Sequence, residues 1–192
     1  MNGRRLAIMI AAGLLLTGCA NHAVTVQDWV NEPDLVAIDQ AIDAPAAQRL
    51  AGSFLRSQDP AADGATVRLQ RVGAPVVVYA TNPRADRAGD LEQAGIESYI
   101  AVPVRVSGRD AADTMQLEPR PPYRPRAMAT GVEETNLPRP AGARLLLDYP
   151  THTWFAWTPE KATVLSSGAL PDLAGKEFDA AGLRADFGRR VP

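Results

Sequence analysis

The chain has 192 residues, of which 46% are hydrophobic and 22% charged, and its formal net charge is −2. These proportions are those of an ordinary globular protein and exclude a chain disordered throughout. The slight acidity also argues against nucleic acid as a partner, because a phosphate backbone selects a basic patch.

At the start of the chain, Arg4 and Arg5 precede an uncharged apolar run from Leu6 to Leu16. A run of this length suits an export signal and falls short of the roughly 20 residues of a stable membrane span. Thr17, Gly18 and Cys19 follow directly. The tetrapeptide Leu16-Thr17-Gly18-Cys19 resembles the lipobox of bacterial envelope lipoproteins, and the resemblance covers the leader alone. It implies that residues 1–18 are a signal peptide and that Cys19 becomes the first mature residue. It further implies that Cys19 carries a diacylglyceryl group on sulfur, with two or three palmitate-like chains in all. Each buried methylene contributes about 0.8 kcal/mol, so one chain holds weakly and two hold firmly. The membrane, reached through lipid on Cys19, is thus the first expected partner. The expected address is the extracytoplasmic side of the cell envelope. Ala20 rather than Asp follows the cysteine, which favours the outer membrane in a Gram-negative cell. Cys19 is also the only cysteine, so no disulfide forms within the chain.

Without its leader the chain keeps roughly 170 residues, the length of one domain. Residues 19–32 read as a lipidated tether and 33–192 as a single α+β domain. Asn31 is placed to cap a helix starting near Pro33, with Leu35, Ile38 and Ile42 on one face and Pro45 at its end. A second helix is expected over 46–56, with Leu50, Phe54 and Leu55 as its stripe and a loop behind it from Gln58 to Gly64. From Thr66 the period becomes two. Val67, Leu69 and Arg71, the Gly73-Ala74-Pro75 turn and the run Val76 to Thr81 predict a hairpin. Residues 86–93 predict a short surface helix ended by Gly95.

Tyr99 to Ser107 is the clearest strand, and Pro103 places it at a sheet edge or a bulge. A proline-rich exposed loop is expected at about 118–141. Strands resume at Leu145 to Tyr149, pair with Thr153 to Thr158 across Pro150, and continue at Ala162 to Ser166. Leu173, Phe178, Leu183 and Phe187 mark a helical tail. The order predicts an α+β fold, a mainly antiparallel sheet with N-terminal helices and a short helical C-terminal tail.

Chemistry-bearing motifs are few. Histidine is limited to His22 and His152, and neither a Gly-x-Ser-x-Gly elbow nor a phosphate-loop glycine pattern occurs. Asp86, Asp90 and Glu92 fit a solvated helix face as well as a metal site, and no catalytic residue, metal or cofactor is assigned. In the stretch Tyr149 to Trp157, alternation sends Trp154 to one face and Phe155 and Trp157 to the other. That pattern is either an open binding surface or a strand covered on both sides. Arg120 to Arg126 is an extended, proline-rich segment that either meets a partner or serves as a solvated connector. The candidate binding residues are therefore Tyr149, His152, Trp154, Trp157, Tyr123 and Arg124. The expected function is a membrane-anchored envelope lipoprotein acting as a non-catalytic binding or assembly module, with another envelope protein as second partner. The alternative is a membrane-tethered enzyme acting on cell-wall or envelope material through paired carboxylates.

Overall fold

A computed structural model describes residue 29 and residues 31–61, 67–82, 84 and 91–190, with side chains to residue 187. Cys19, the leader, Asp86 and Asp90 lie outside these residues. Nine strands form one sheet. In chain order they are β1 (Leu69–Arg71), β2 (Val76–Thr81), β3 (Gly95–Val106), β4 (Ala112–Leu117), β5 (Pro125–Ala129), β6 (Arg144–Asp148), β7 (Thr153–Trp157), β8 (Ala162–Ser167) and β9 (Glu177–Phe178). The helices are α1 (Leu35–Asp43), α2 (Pro45–Gln58), α3 (Glu133–Asn136) and α4 (Ala180–Arg190). The strands lie side by side in the order β5-β4-β3-β2-β6-β7-β8-β9, with β1 on β3. Among the described residues only β2 and β6 run parallel, and the other pairings are antiparallel.

The expected hairpin of β1 and β2 does not form. Both strands pair with β3 along the same edge, Leu69 opposite Val106 and Val76 opposite Ala101, so they lie end to end rather than side by side. Gly73 sits in the break between them, where a Cβ would come within 2.9 Å of Pro103 Cγ. The Val72 N–H donates to the Pro103 carbonyl at 2.9 Å. In a hydrogen-bonded antiparallel pair residue 103 would return that bond, and proline cannot. The ladder is therefore interrupted where the donor is missing. Pro103 thus occupies a central strand, not the sheet edge.

β3 is buried on both faces because both faces of the sheet are covered. On one, α1 and α2 pack Ile38, Ile42 and Ala47 against Ile100, Val102, Val104, Met115 and Leu117. Further along the same face, Leu183 of α4 joins Tyr79, Leu146, Phe155 and Trp157. On the other, Val76, Val78, Tyr99, Leu145, Leu147 and Trp154 pack with Leu137 and Leu165. Of the helix expected at 86–93, residues 86–90 lie outside the described residues and Leu91–Gln93 form a 3-10 turn that stops just before Gly95. Gly95 opens β3, and the Trp157 ring and Leu146 rest so close that an added Cβ would approach them to 2.7 and 2.8 Å.

Asp34, rather than Asn31, caps α1: its carboxylate accepts from the N–H groups of Val36 and Ala37. Consequently Leu35 falls in the first turn, facing solvent, and the buried stripe is Ile38, Ala41 and Ile42. In α2 the buried residues are Ala47, Ala51, Gly52 and Leu55, small side chains that let the helix approach closely.

Asp39 of α1 receives both Nε and Nη2 of Arg71 at 2.7 and 2.9 Å, which ties the helix to β1. This hydrogen-bonded guanidinium holds the Asp39 carboxyl below its ordinary value. The stability it supplies is present above about pH 3.9, the unfolded value, and is lost as pH falls through the lower folded value. Asp39→Asn is expected to lower stability at pH 7 by under ~1 kcal/mol, as for a partly exposed pair. Urea titrations at several pH values should show the gap closing below about pH 4. A gap of unchanged size at pH 2 would exclude the pair as its source.

The expected exposed loop at 118–141 is structured instead. Pro125 starts β5, an edge strand that pairs with β4, and Glu118 N–H donates to the Arg124 carbonyl across the connecting turn. A proline at the first residue of an edge strand costs the ladder nothing. α3 then closes the opposite face of the sheet, burying Glu134.

Candidate binding site

Between the α1–α2 cover and the α4 cover, one face of the sheet is crossed by residues 31–33. Trp29 pins this crossing. Its indole Nε1 donates to the Trp157 carbonyl at 3.4 Å, and its own carbonyl accepts from Arg144 Nε at 2.6 Å. The Trp29 and Tyr79 rings both meet Trp157 edge-on, at 4.8 and 5.4 Å between centroids. The Arg144 guanidinium lies 3.8 Å from the Trp29 centroid, 4.6 Å from Tyr79 and 5.3 Å from Trp157. Cation–π attraction of about 0.5–2 kcal/mol per desolvated pair thus holds an arginine among three rings. Asn31 adds a bond from Nδ2 to Glu97 Oε1 at 2.7 Å, and Arg120 Nε meets the other oxygen of Glu97 at 3.2 Å.

The crossing leaves a cavity on each flank. The smaller, about 180 Å³, is lined by Pro33, Val76, Tyr79, Arg139 and Arg144 among others. The larger, about 310 Å³, is lined by Val77, Glu97, Pro119, Arg120, Pro121 and Tyr123, and the two share Asn31, Glu32 and Pro33. Tyr79 is buried, and its hydroxyl has no hydrogen-bond partner among the described residues. Burial pushes that hydroxyl's pKa up, while the neighbouring Arg144 charge opposes the shift. Arg139 gives Nη1 to the Glu134 carbonyl at 3.3 Å. Burial holds the Arg139 guanidinium below its ordinary value, and neither Arg139 nor Arg144 forms an ion pair among the described residues.

No family model, curated protein or solved structure matches this chain.

The six residues singled out from sequence do not converge. Trp154 and Trp157 are 1% and 0% exposed, on opposite faces, so β7 is the strand covered on both sides and neither ring offers a binding surface. Tyr123 is buried against the α1 side of the core, and its neighbour Arg124 points to solvent. Tyr149 and His152 remain accessible at the β6–β7 turn. The Tyr149 hydroxyl shares a hydrogen bond with Ser98 at 3.1 Å, and His152 Nε2 lies 3.1 Å from Glu133 Oε2.

Two polar networks also escaped the sequence reading. Asp148, at the end of β6, accepts from Thr81 and Thr151, and the hydroxyl chain continues through Thr153 to Ser167. Glu134 accepts from Tyr99 at 2.9 Å and from Thr114 at 3.2 Å. In both places a buried carboxylate accepts hydroxyl hydrogen bonds from neighbouring strands. Among the described residues no three His, Cys, Asp or Glu side chains gather as a metal site requires.

Trp29, a large aromatic in the stretch read as a polar tether, was the visible signal for the crossing. Arg139 and Arg144 gave none, because the chain uses arginine for almost all its positive charge.

Proposed function

We propose that this protein is a bacterial envelope lipoprotein, anchored by acyl chains on Cys19, whose body is a non-catalytic binding or assembly module. The reading is carried by Leu16-Thr17-Gly18-Cys19, joined to the docking of Trp29 ten residues later. Ten residues span at most roughly 35 Å, so an anchor at Cys19 would tether Trp29 within that distance of the bilayer. No helix among the described residues is long and apolar enough to cross a membrane, and lipid would supply the attachment instead. The N-terminal helices and the helical tail complete the α+β body and frame the face where the two cavities open.

The binding reading draws support from those cavities beside the crossing. The enzymatic alternative asks for carboxylates free to exchange protons with a substrate. The buried Glu134 and Asp148 serve as acceptors for threonine and tyrosine hydroxyls, while Glu92, Glu160 and Asp179 line a separate pocket beside α4. Cells fed labelled palmitate should mark the wild-type protein and leave Cys19→Ser unmarked, with the variant released from the membrane fraction. Equal labelling of both chains would sink the anchor.

A further inference from the structure

We infer that the cavity flanked by Arg139 and Arg144 is a binding site for a phosphate-type oxyanion. Two guanidinium-bearing side chains line one small cavity. Removing a cation from water is costly unless an anion or hydrogen-bond acceptors replace the lost hydration. Arg139 has given up part of its hydration with one backbone carbonyl in return, and Arg144 has three aromatic rings and one carbonyl. Each guanidinium carries five N–H donors, so most of the donors in this pair are uncommitted among the described residues. Tyr79 also lines the cavity, with its hydroxyl sealed from solvent. A glutamate, Glu32, reaches the rim of the same cavity, so the occupant must outcompete that single carboxylate.

Two cations match a group with more than one negative charge and several acceptor oxygens. Planar guanidinium forks bind such oxygens in pairs. The cavity, about 180 Å³, lies below the roughly 300–1,000 Å³ of sites that enclose drug-sized molecules, so it takes a head group rather than a whole ligand. Its position beside residues 31–33 places it next to the Trp29 segment that a Cys19 anchor would tether to the bilayer. A phospholipid head and free inorganic phosphate are therefore the two sources of one chemistry. The inference deepens the binding-module reading, and its phosphate arm does not depend on the anchor.

The test uses the full chain carrying Cys19→Ser, held in neutral detergent, so that acylation plays no part. Isothermal titration with inorganic phosphate should saturate near one ion per chain, with chloride at equal ionic strength giving no heat. Sedimentation with phosphatidylglycerol vesicles, against vesicles of a neutral glycolipid, reads the lipid source separately. Arg139→Gln should weaken whichever interaction appears at least tenfold. Arg139→Lys keeps the charge without the fork and should fall between; it replaces the glutamine variant if that one fails to fold by its melting curve. Absence of both phosphate and vesicle binding, or unaltered binding by a folded Arg139 variant, overturns the site. Palmitate labelling can fail while phosphate still binds, so the two readings stand or fall apart.

Discussion

Trp157→Ala is expected to destabilise the fold by about 3–5 kcal/mol, the usual range for emptying a buried tryptophan site. Net stabilities are typically about 5–15 kcal/mol, so the loss takes a large share of what holds the domain together. The ring meets the Trp29 segment, the paired strands β2 and β3, and the Leu91 turn. It is packed by Gly95 of β3 on one side and by Trp29 and Tyr79 edge-on. Its Nε1 donates to the Leu91 carbonyl at 2.8 Å, a bond that alanine would remove while the Ala94 N–H stays on the same oxygen. Trp157→Phe keeps an aromatic surface without the donor, and its cost should be clearly smaller. Urea unfolding followed by far-ultraviolet circular dichroism gives both values. A Trp157→Ala loss below about 1 kcal/mol would contradict the packing described.

The second large effect belongs to alkaline pH. Tyr99 is buried and donates to Glu134, and burial together with that carboxylate pushes its pKa far above the ordinary tyrosine value. In the unfolded chain tyrosine releases its proton near pH 10, whereas native Tyr99 keeps it. Above pH 10 the unfolded state therefore binds fewer protons, and stability falls by about 1.4 kcal/mol per pH unit for this group. Tyr79, also raised by burial, adds a slope of the same sign. Tyr99→Phe should flatten the alkaline decline. At neutral pH the same variant should be about 1–3 kcal/mol less stable, because Glu134 keeps its burial and loses a donor. Guanidinium unfolding between pH 8 and about pH 11.5 separates the two effects. An undiminished alkaline slope in the phenylalanine variant would assign the titration elsewhere.

The parts of the fold legible in sequence were those decided by neighbours along the chain. Ile100, Val102 and Val104 announced a strand by alternation, and Leu145 to Tyr149 with Thr153 to Thr158 announced an antiparallel pair across Pro150. What stayed hidden was decided at long range. Nothing local tells Leu69–Arg71 to continue the line of Val76–Thr81 rather than fold back on it; the length of β3 decides, because its edge accommodates both. Pro103 obeyed the rule about missing donors at a place the rule does not name, opposite a break in the adjoining strand. Pro125 looked like part of a loop because a proline at the head of an edge strand leaves the same local signature. The candidate site was hidden for the same reason. Trp29 finds its carbonyl acceptor in Trp157, 128 residues away, and no periodicity records such a pairing.

The lone parallel pairing gives the sheet a seam. To one side β2 to β5 can zip up as neighbours in sequence with β1 added on β3, and to the other β6 to β9 can zip up likewise. The two halves are stitched through Val78, Tyr79 and Ala80 against Leu145, Leu146 and Leu147, contacts that close a long stretch of chain. Such closure is the entropically expensive step of assembly. The two sub-sheets are accordingly the natural early folding units, and their suture is the late one. Arg144 lies on the suture, so the arginine held among aromatic rings also serves as a clasp between the halves.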